Sequence, residues 1–500
     1  MPAFGDYQFE IYLRGLAGVK PKLPVDFAAL EKRAERAMPA GVWSYVAGGC
    51  GDEHTQDLNV AAFRKWGLVP RMMVDGTQRD LSIELFGLKL PSPLFMSPIG
   101  VLGICAQDGH GDLAAARAAA ATGVPFTLST LNNDPMEAVA KALGDGIGFF
   151  QLYTPNDREL AESFVRRAEA AGFKALIVTL DTWVPGWRPR DLNDANFPQL
   201  RGACLANYFS DPRFRALCDK PPEEDPAGAI RTWARVFGRP LSWADLPWLR
   251  SLTKLPLVLK GICHPDDARR AVDGGVDAIF CSNHGGRQAN GGLAAIDMLP
   301  GVVAAAGKTP VLFDSGIRSG TDIVKALALG AIAVGVGRPY AYGLALDGAD
   351  GVAHVLRCLL AEADLLMAID GYPRIADLSA SALMRARSSG DGVESFRANK
   401  RQQFQRWATG PFRAALPIAD ELDADIDMAG EHGLTDTLAR SQSLNFLAGH
   451  CLHFRQAIGV DIAHRALVER ADVVQGRSRL AQSFKSAIAG FRFRHCNSPP

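Results

Sequence analysis

The chain has no surplus charge of either sign. Lysine and arginine together number 54, and so do aspartate and glutamate, in 500 residues. A protein that binds nucleic acid through its phosphates needs a cationic surplus, so we expect no nucleic-acid partner. Apolar runs of about 20 residues, the length that crosses a bilayer, are also missing. The longest candidate, residues 331–346, is interrupted by Arg338, so no membrane association is expected.

Cysteine is sparse and arranged without a pattern. The nine cysteines are odd in number and include no C-x-x-C pair, which predicts reduced thiols and neither a disulfide framework nor a metal site. The first ten residues, MPAFGDYQFE, have no basic stretch followed by an apolar one, so no secretory signal is predicted. Together these features favour a cytoplasmic location. The hydrophobic content of 48% and charged content of 22% are typical of a folded globular chain.

What the middle of the chain does contain is a repeated pattern of short apolar runs separated by alanine-rich helical stretches. The runs are not alternately polar, which is typical of strands buried on both faces of a parallel sheet. Eight such β-then-α units predict a (β/α)8 barrel, with a doubly wound open sheet as the alternative. The eight runs are 94–98, 125–129, 148–153, 175–181, 256–261, 278–284, 310–316 and 331–338.

Three parts are predicted. Residues 1–90 form an N-terminal segment that packs on the barrel and includes an amphipathic helix at 27–38, residues 91–387 form the barrel, and residues 388–500 form an extension of unknown structure. The interval 182–255 between runs four and five is too long for an ordinary connection. We interpret it as a lid over the strand ends, and the alternative is an insertion on the outer wall. The extension is either an interaction segment or largely disordered.

Polar or ionisable residues stand at the ends of most of the apolar runs. In a (β/α)8 barrel these ends meet at one rim, where catalytic groups gather. The residues are Ser129, Gln151, Tyr153, Thr179, Asp181, Lys260, His284, Asp314, Gly337 and Arg338. We therefore predict an active site at this rim.

Individual residues at the rim suggest different roles. His284 can act as a general base if Asp181 stabilises its charged form, although a buried structural histidine fits the spacing equally well. Lys260 either forms a Schiff base, stabilises negative charge on a cofactor, or pairs with a carboxylate. The loops after runs seven and eight contain Gly316, Arg318, Gly337 and Arg338. In barrels this is the usual phosphate site, and ordinary tight turns are the alternative.

One motif is specific to a family. The stretch SNHGGRQ at 282–288 resembles the active-site signature of the FMN-dependent α-hydroxy-acid oxidising family, and the resemblance covers residues 5–387. Within that family the likeness is greatest to the lactate 2-monooxygenases. The stretches that carry it include SYVAGGCGDEHTQ, CAQDGHGD, LDTWVPGWRPRDL and HPDDARRAVD.

The resemblance implies roles for the matching residues. His284 would take the proton of the substrate hydroxyl, with Asp181 as its partner and Lys260 stabilising the reduced flavin. Arg188 and Arg287 would bind the substrate carboxylate, and Tyr45 and Tyr153 would hydrogen-bond the substrate. The FMN would be bound by Pro98, Ile99, Gly100, Ser129, Gln151, Thr179, Lys260, Ser282, Asp314, Gly316, Arg318, Gly337 and Arg338.

Gly100 bears on the outcome of the reaction. The resemblance implies that the oxidases carry alanine here and the monooxygenase glycine, and that pyruvate stays bound until peroxide decarboxylates it. The reaction expected is therefore L-lactate plus O2 to acetate, CO2 and water. The alternatives are an oxidase that releases pyruvate and H2O2, a dehydrogenase that reduces a quinone, and a non-catalytic scaffold. Relatives assemble as tetramers or octamers, so a homo-oligomer is expected.

Two departures from the family pattern concern the substrate. Residues 132–134, Asn-Asn-Asp, stand where relatives carry small or apolar residues, and Pro185 stands where an aromatic residue is expected. Both are predicted near the rim, where they would alter the size of the substrate accepted.

Overall fold

Eight short parallel strands, here β1 to β8, close into a barrel in the computed structural model, which describes residues 3–385. Every strand pairs with its neighbours in chain order, and β8 closes the barrel by pairing with β1. The predicted barrel is thus confirmed, and the open sheet is wrong. The strands are Leu94–Met96, Phe126–Ser129, Gly148–Leu152, Leu176–Thr179, Leu257–Lys260, Ala278–Cys281, Val311–Phe313 and Ala333–Val336.

All strand residues are buried, because one face points into the barrel and the other meets the surrounding helices. This two-sided burial explains why the runs show no polar alternation. The helices that follow the strands, apart from those between β4 and β5, are Leu102–Cys105, Gly111–Thr122, Met136–Leu143, Arg158–Ala170, Pro265–Asp273, Ala295–Ala306, Gly320–Ala328 and Arg338–Ile369. The last of these is interrupted at Asp347 and Gly348, whose backbone angles are not helical.

The N-terminal segment covers both ends of the barrel. An antiparallel strand pair, Ile83–Leu85 with Leu88–Leu90, buries its apolar side chains against Phe95, Phe149 and Phe280 of the barrel and closes the end opposite the predicted site. The helices of the segment are Asp6–Leu16, Phe27–Ala37, Ala40–Ala47 and His54–Ala61. The second matches the predicted amphipathic helix and buries Leu30 and Ala34.

The insertion between β4 and β5 has five helices. They are Pro189–Asn193, Ala206–Phe209, Pro212–Ala216, Pro226–Val236 and Leu246–Ser251. Its middle packs on the outer helix Arg158–Ala170, where Tyr208 lies edge-on to Phe164 at 5.0 Å and Arg167 pairs with Asp211 at 3.0 Å. Other parts line the cavity at the strand ends. The interval is therefore partly lid and partly outer wall, and each interpretation holds for a different stretch.

Two expectations, on membrane-spanning helices and on the cysteines, can be compared with the described part of the chain. Within residues 3–385, no helix is long and apolar enough to cross a membrane. The seven cysteines in this range are all free thiols. A short antiparallel pair, Trp66–Leu68 with Leu383–Arg385, ties the end of the barrel region to the N-terminal segment. The predicted extension at 388–500 lies outside the described residues.

Candidate active site

A single cavity opens at the carboxyl ends of the barrel strands, where the polar residues were predicted to meet. It is formed by the strand-end loops, the insertion and the N-terminal segment. The predicted site residues that line it are Tyr45, Pro98, Ile99, Gly100, Tyr153, Arg188, Lys260, His284, Arg287, Asp314, Gly316, Arg318, Gly337 and Arg338. Residues up to 293 positions apart in the chain are therefore neighbours here, from Tyr45 to Arg338.

Five predicted residues do not line the cavity: Ser129, Gln151, Thr179, Asp181 and Ser282. They lie directly behind it. Asp181 bonds His284, and the Ser282 hydroxyl accepts from the His284 backbone N–H at 3.1 Å. Ser129 donates to the Gln151 side chain at 2.9 Å, and Thr179 pairs with Lys260 across β4 and β5.

The His284 imidazole is held by a carboxylate. Its Nδ1 lies 2.9 Å from Oδ1 of Asp181 and 3.2 Å from the Thr182 hydroxyl. Burial and the positive charge of Lys260 lower the pKa of His284, which outweighs the raising effect of Asp181. Burial alone would raise the pKa of Asp181, but the charges of His284 and Lys260 bring it down to about 2. The pair is thus a neutral imidazole on an ionised carboxylate, the state a general base requires.

The loop that carries His284 has a constrained backbone. His284 itself has φ of +56°, in the left-handed region that a non-glycine residue seldom adopts. Gly286 has φ of +75°, and a Cβ there would lie 2.5 Å from the backbone nitrogen of Gln56. Such strain is retained where surrounding contacts fix it, commonly at functional sites. The glycines of the motif therefore let the loop lie against the N-terminal segment and aim the imidazole at the cavity.

Two arginines flank the Tyr45 ring. The guanidinium carbons of Arg287 and Arg188 lie 5.2 and 5.6 Å from the ring centroid. Arg188 donates to the backbone carbonyl of Arg287 at 3.0 Å and to the Gln288 side chain at 2.5 Å. Burial and the charge of Arg188 lower the pKa of Arg287 to about 10. Neither arginine has an ion-pair partner within residues 3–385, so the two can bind one carboxylate.

A second pair of cations lies near the ends of β7 and β8. Arg338 donates to the carbonyls of Val46, Gly48 and Gly285, and Arg318 lies 4.8 Å from the Phe27 ring. Burial lowers the pKa of both guanidinium groups, to about 9 for Arg338, where repulsion from Arg287 adds to the effect. Neither forms an ion pair in the described part of the chain. Two unneutralised guanidinium groups at this position fit a phosphate.

Lys260, which lines the cavity, and Gln151 and Thr179 behind it fit the polar ring edge of a flavin. Nε2 of Gln151 and Oγ1 of Thr179 are buried and have no hydrogen-bond partner among the described residues. Lys260 is 2% exposed and takes part in no ion pair of that range. Unpaired buried polar groups are rare because their desolvation is costly, so groups of this kind indicate a ligand. The amide of Gln151, the hydroxyl of Thr179 and the cation of Lys260 lie on three successive strands. Together they can hydrogen-bond the amide and carbonyl groups of FMN.

Three glycines shape the cavity wall. A Cβ on Gly100 would lie 3.0 Å from Cβ of Leu131 and 3.4 Å from the Ser129 hydroxyl. A Cβ on Gly337 would meet nothing within 4 Å, which places this residue at open space. Gly316 is glycine for a different reason, since its φ is +94° and a Cβ would lie 2.3 Å from the Asn59 carbonyl.

Several lining residues were missed by sequence reasoning. Thr182 contacts both members of the histidine–aspartate pair, and the insertion contributes Phe197, Gln199, Trp233 and Phe237 to the cavity. These four stand on helices or turns far from any strand end, so the expectation that site residues follow barrel strands does not identify them. The aromatic content of the insertion is a signal for Phe197, Trp233 and Phe237, and no signal in the sequence indicates Gln199.

The two departures from the family pattern lie in different places relative to the cavity. Pro185 does line the cavity. Asn132 and Asn133 instead hold the insertion, since the Asn132 carbonyl accepts from Ala206 at 2.9 Å and the Asn133 side chain accepts from Cys204 at 2.7 Å. None of residues 132–134 is among the residues that line the cavity, and their effect on substrate size stays a prediction.

Comparisons with known proteins agree with this geometry. Residues 34–385 match the family model described as FMN-dependent dehydrogenase. An FMN-dependent α-hydroxy acid dehydrogenase of Penicillium citrinum is 42% identical over 78% of this chain and 98% of its own length. An L-lactate oxidase of Lysinibacillus sphaericus is 39% identical over 77% and 98%. A soluble mutant of the membrane-associated (S)-mandelate dehydrogenase from Pseudomonas putida superposes with a TM-score of 0.64 at 36% identity, over 72% of this chain and 99% of that structure.

Proposed function

The chain belongs to the FMN-dependent dehydrogenase family, and from that premise we propose that it is a 2-hydroxy-acid monooxygenase of the lactate 2-monooxygenase type. FMN-dependent oxidation of α-hydroxy acids is the activity that its relatives share. The net reaction proposed is L-lactate plus O2 to acetate, CO2 and water. The observation that carries the proposal is the His284–Asp181 pair, at 2.9 Å, beside two cavity-lining arginines that have no carboxylate partner within residues 3–385.

Substrate binding is assigned to the two arginines and to two tyrosines. Arg188 and Arg287 bind the carboxylate, because a planar guanidinium matches both of its oxygens. Tyr45, between the arginines, and Tyr153 hydrogen-bond the substrate. Burial raises the pKa of Tyr153, so its hydroxyl stays protonated and can donate.

Proton removal is assigned to His284. In its neutral form, with Nδ1–H donated to Asp181, the imidazole has Nε2 free to accept the proton of the substrate hydroxyl. The carboxylate of Asp181 then stabilises the imidazolium that forms. When bound, FMN supplies the acceptor for the two electrons that leave C2 and passes them to oxygen. Lys260 lines the same cavity and would stabilise the negative charge that a bound flavin takes up on reduction.

Retention of the 2-oxo acid distinguishes a monooxygenase from an oxidase. Two features support retention here: Gly100 lines the cavity without a side chain, where a Cβ would crowd Leu131 at 3.0 Å, and the insertion contributes Pro185, Phe197 and Phe237 to the cavity wall. A covered site slows the escape of pyruvate, so that peroxide decarboxylates it before release. The 39% identity to an L-lactate oxidase favours the second candidate, an oxidase that releases pyruvate and H2O2.

Product analysis in the presence of catalase tests the proposal. Catalase destroys peroxide that leaves the enzyme, so an oxidase yields pyruvate and a monooxygenase still yields acetate and CO2. We expect one acetate and one CO2 for each lactate and O2 consumed. Pyruvate as the main product would refute the monooxygenase and favour the oxidase. Slow reoxidation in air with fast reoxidation by a quinone would favour a dehydrogenase.

The assembly state and the location stay predictions. We propose a homo-oligomer in the cytoplasm, and light scattering of the purified holoenzyme measures the first directly.

A further inference from the structure

We propose that Gln199 determines substrate specificity, and that the preferred substrates are 2-hydroxy acids whose apolar side chain ends in a neutral hydrogen-bonding group, such as a hydroxyl or a carboxamide. The inference rests on the proposed function, because it concerns the part of the same cavity that would hold the side chain of the substrate. It goes further in that lactate, with its methyl side chain, lacks such a group.

Gln199 is a cavity-lining residue whose side-chain amide is buried and has no partner among the described residues. It lies in the short 3-10 turn Pro198–Arg201 of the insertion and is 1% exposed. Neither its Oε1 nor its Nε2 has a hydrogen-bond partner among residues 3–385, although it lines the cavity. A buried primary amide with no partner is unfavourable, and it persists where a ligand or water supplies the missing bonds. The packing of the protein alone does not explain a glutamine here, because a leucine of similar size would avoid the cost.

A row of aromatic rings extends from Tyr45 through insertion residues that line the cavity. Tyr45, on which both arginines lie, is 6.5 Å from the Phe197 ring, and Phe197 is 6.4 Å from Trp233. Trp233 is 5.1 Å from Phe237, and Phe237 is 5.7 Å from Tyr153. A substrate held by its carboxylate beside Tyr45 therefore has an apolar, aromatic wall next to its side chain. Gln199, two residues after Phe197, also lines the cavity, and we assign the polar contact with the substrate side chain to it.

The charges around the cavity define the group that Gln199 would bind. Among the insertion residues that line the cavity, Pro185, Phe197, Trp233 and Phe237 carry no charge, and the cation Arg188 is already assigned to the carboxylate at C1 of the substrate. A second carboxylate on the substrate would be desolvated there without a cation. An amide both donates and accepts, so it matches a hydroxyl or a carboxamide. An apolar stem that ends in such a group satisfies both the rings and the glutamine.

Two pairs of substrates, each matched in shape, test the inference on the holoenzyme. The first pair is (S)-2,4-dihydroxybutanoate and (S)-2-hydroxypentanoate, in which a hydroxyl replaces a methyl. The second is (S)-3-(4-hydroxyphenyl)lactate and (S)-3-phenyllactate. Anaerobic stopped-flow bleaching of the flavin gives the second-order rate constant for each. We expect the wild-type enzyme to prefer the hydroxylated member of at least one pair by about 10-fold or more, since a site built for a hydrogen bond discriminates against the analogue that lacks it.

The variant Gln199→Leu should bring that ratio close to one, and Gln199→Met provides a second apolar replacement if the leucine variant folds poorly. Leu200→Ala is the matched control on the same turn, because the Leu200 side chain is 55% exposed, and it should leave the ratio unchanged. A ratio near one for both pairs in the wild type, or a ratio that Gln199→Leu does not alter, would overturn the assignment. Bleaching by lactate without any preference would refute this inference alone. A flavin that no 2-hydroxy acid bleaches would refute the proposed function as well.

Discussion

Replacing Asp181 by asparagine removes one charge and keeps the side chain's size, so it isolates what the carboxylate does for His284. The Nδ1–Oδ1 distance is 2.9 Å. At an effective dielectric constant of about 20, two unit charges at that distance attract by about 6 kcal/mol, which is the upper limit of the effect. The Asp181 side chain is 22% exposed, so solvent screens part of this attraction. We therefore expect a loss of about 2–4 kcal/mol in the transition state, or about 30- to 1,000-fold in rate.

The pH dependence separates this electrostatic role from a structural one. In the wild type, flavin reduction should fall at low pH as His284 becomes protonated. Asp181 raises the pKa of His284, so the asparagine variant should have a lower His284 pKa and an acid limb displaced to lower pH. Anaerobic stopped-flow reduction across the pH range measures both quantities, with FMN content determined from absorbance in each preparation.

Thr182→Val is the matched control for Asp181→Asn. The Thr182 hydroxyl lies 3.1 Å from Asp181 and 3.2 Å from His284, but it is neutral. Its loss should slow reduction by less than about 10-fold, the usual worth of one neutral hydrogen bond, and leave the acid limb in place. The reasoning fails if Asp181→Asn reduces the flavin within threefold of the wild-type rate, or if its acid limb moves to higher pH.

Two further predictions concern Gly100 and Asp112. Gly100→Ala places a methyl group 3.0 Å from Cβ of Leu131, so we expect less room for a retained 2-oxo acid. Pyruvate should rise at the expense of acetate in the catalase assay, and an unchanged product ratio would contradict this. Burial raises the pKa of Asp112 from 3.8 to about 7, so the folded state binds its proton more tightly and the free energy of unfolding falls as pH rises through this interval. Asp112→Asn should abolish that fall and stabilise the protein by up to about 4 kcal/mol at pH 8, with little gain near pH 4, and a gain independent of pH in chemical denaturation would refute the assignment.

The sequence determined the barrel and much of its rim. Each of the eight apolar runs contains a strand, because a strand buried on both faces must be apolar throughout, and this composition can be recognised without tertiary information. The rim residues followed from one geometric rule, that the carboxyl ends of parallel strands share one edge. His284, Lys260 and Asp314 are found at the cavity for this reason. The SNHGGRQ motif then indicated FMN-dependent oxidation of α-hydroxy acids.

The tertiary structure decided what the insertion does. Its residues obey no strand-end rule, and their positions depend on how the segment packs between the barrel and the outer helix Arg158–Ala170. Only the folded chain shows that Phe197 and Gln199 face the cavity while Tyr208 packs outside it, or that the Gln199 amide is left without a partner. Hydrophobic patterns in the sequence predict the helices and strands, since each depends mainly on residues that are near one another in the chain. The side-chain pocket comes from contacts between segments distant in sequence, which only packing brings together.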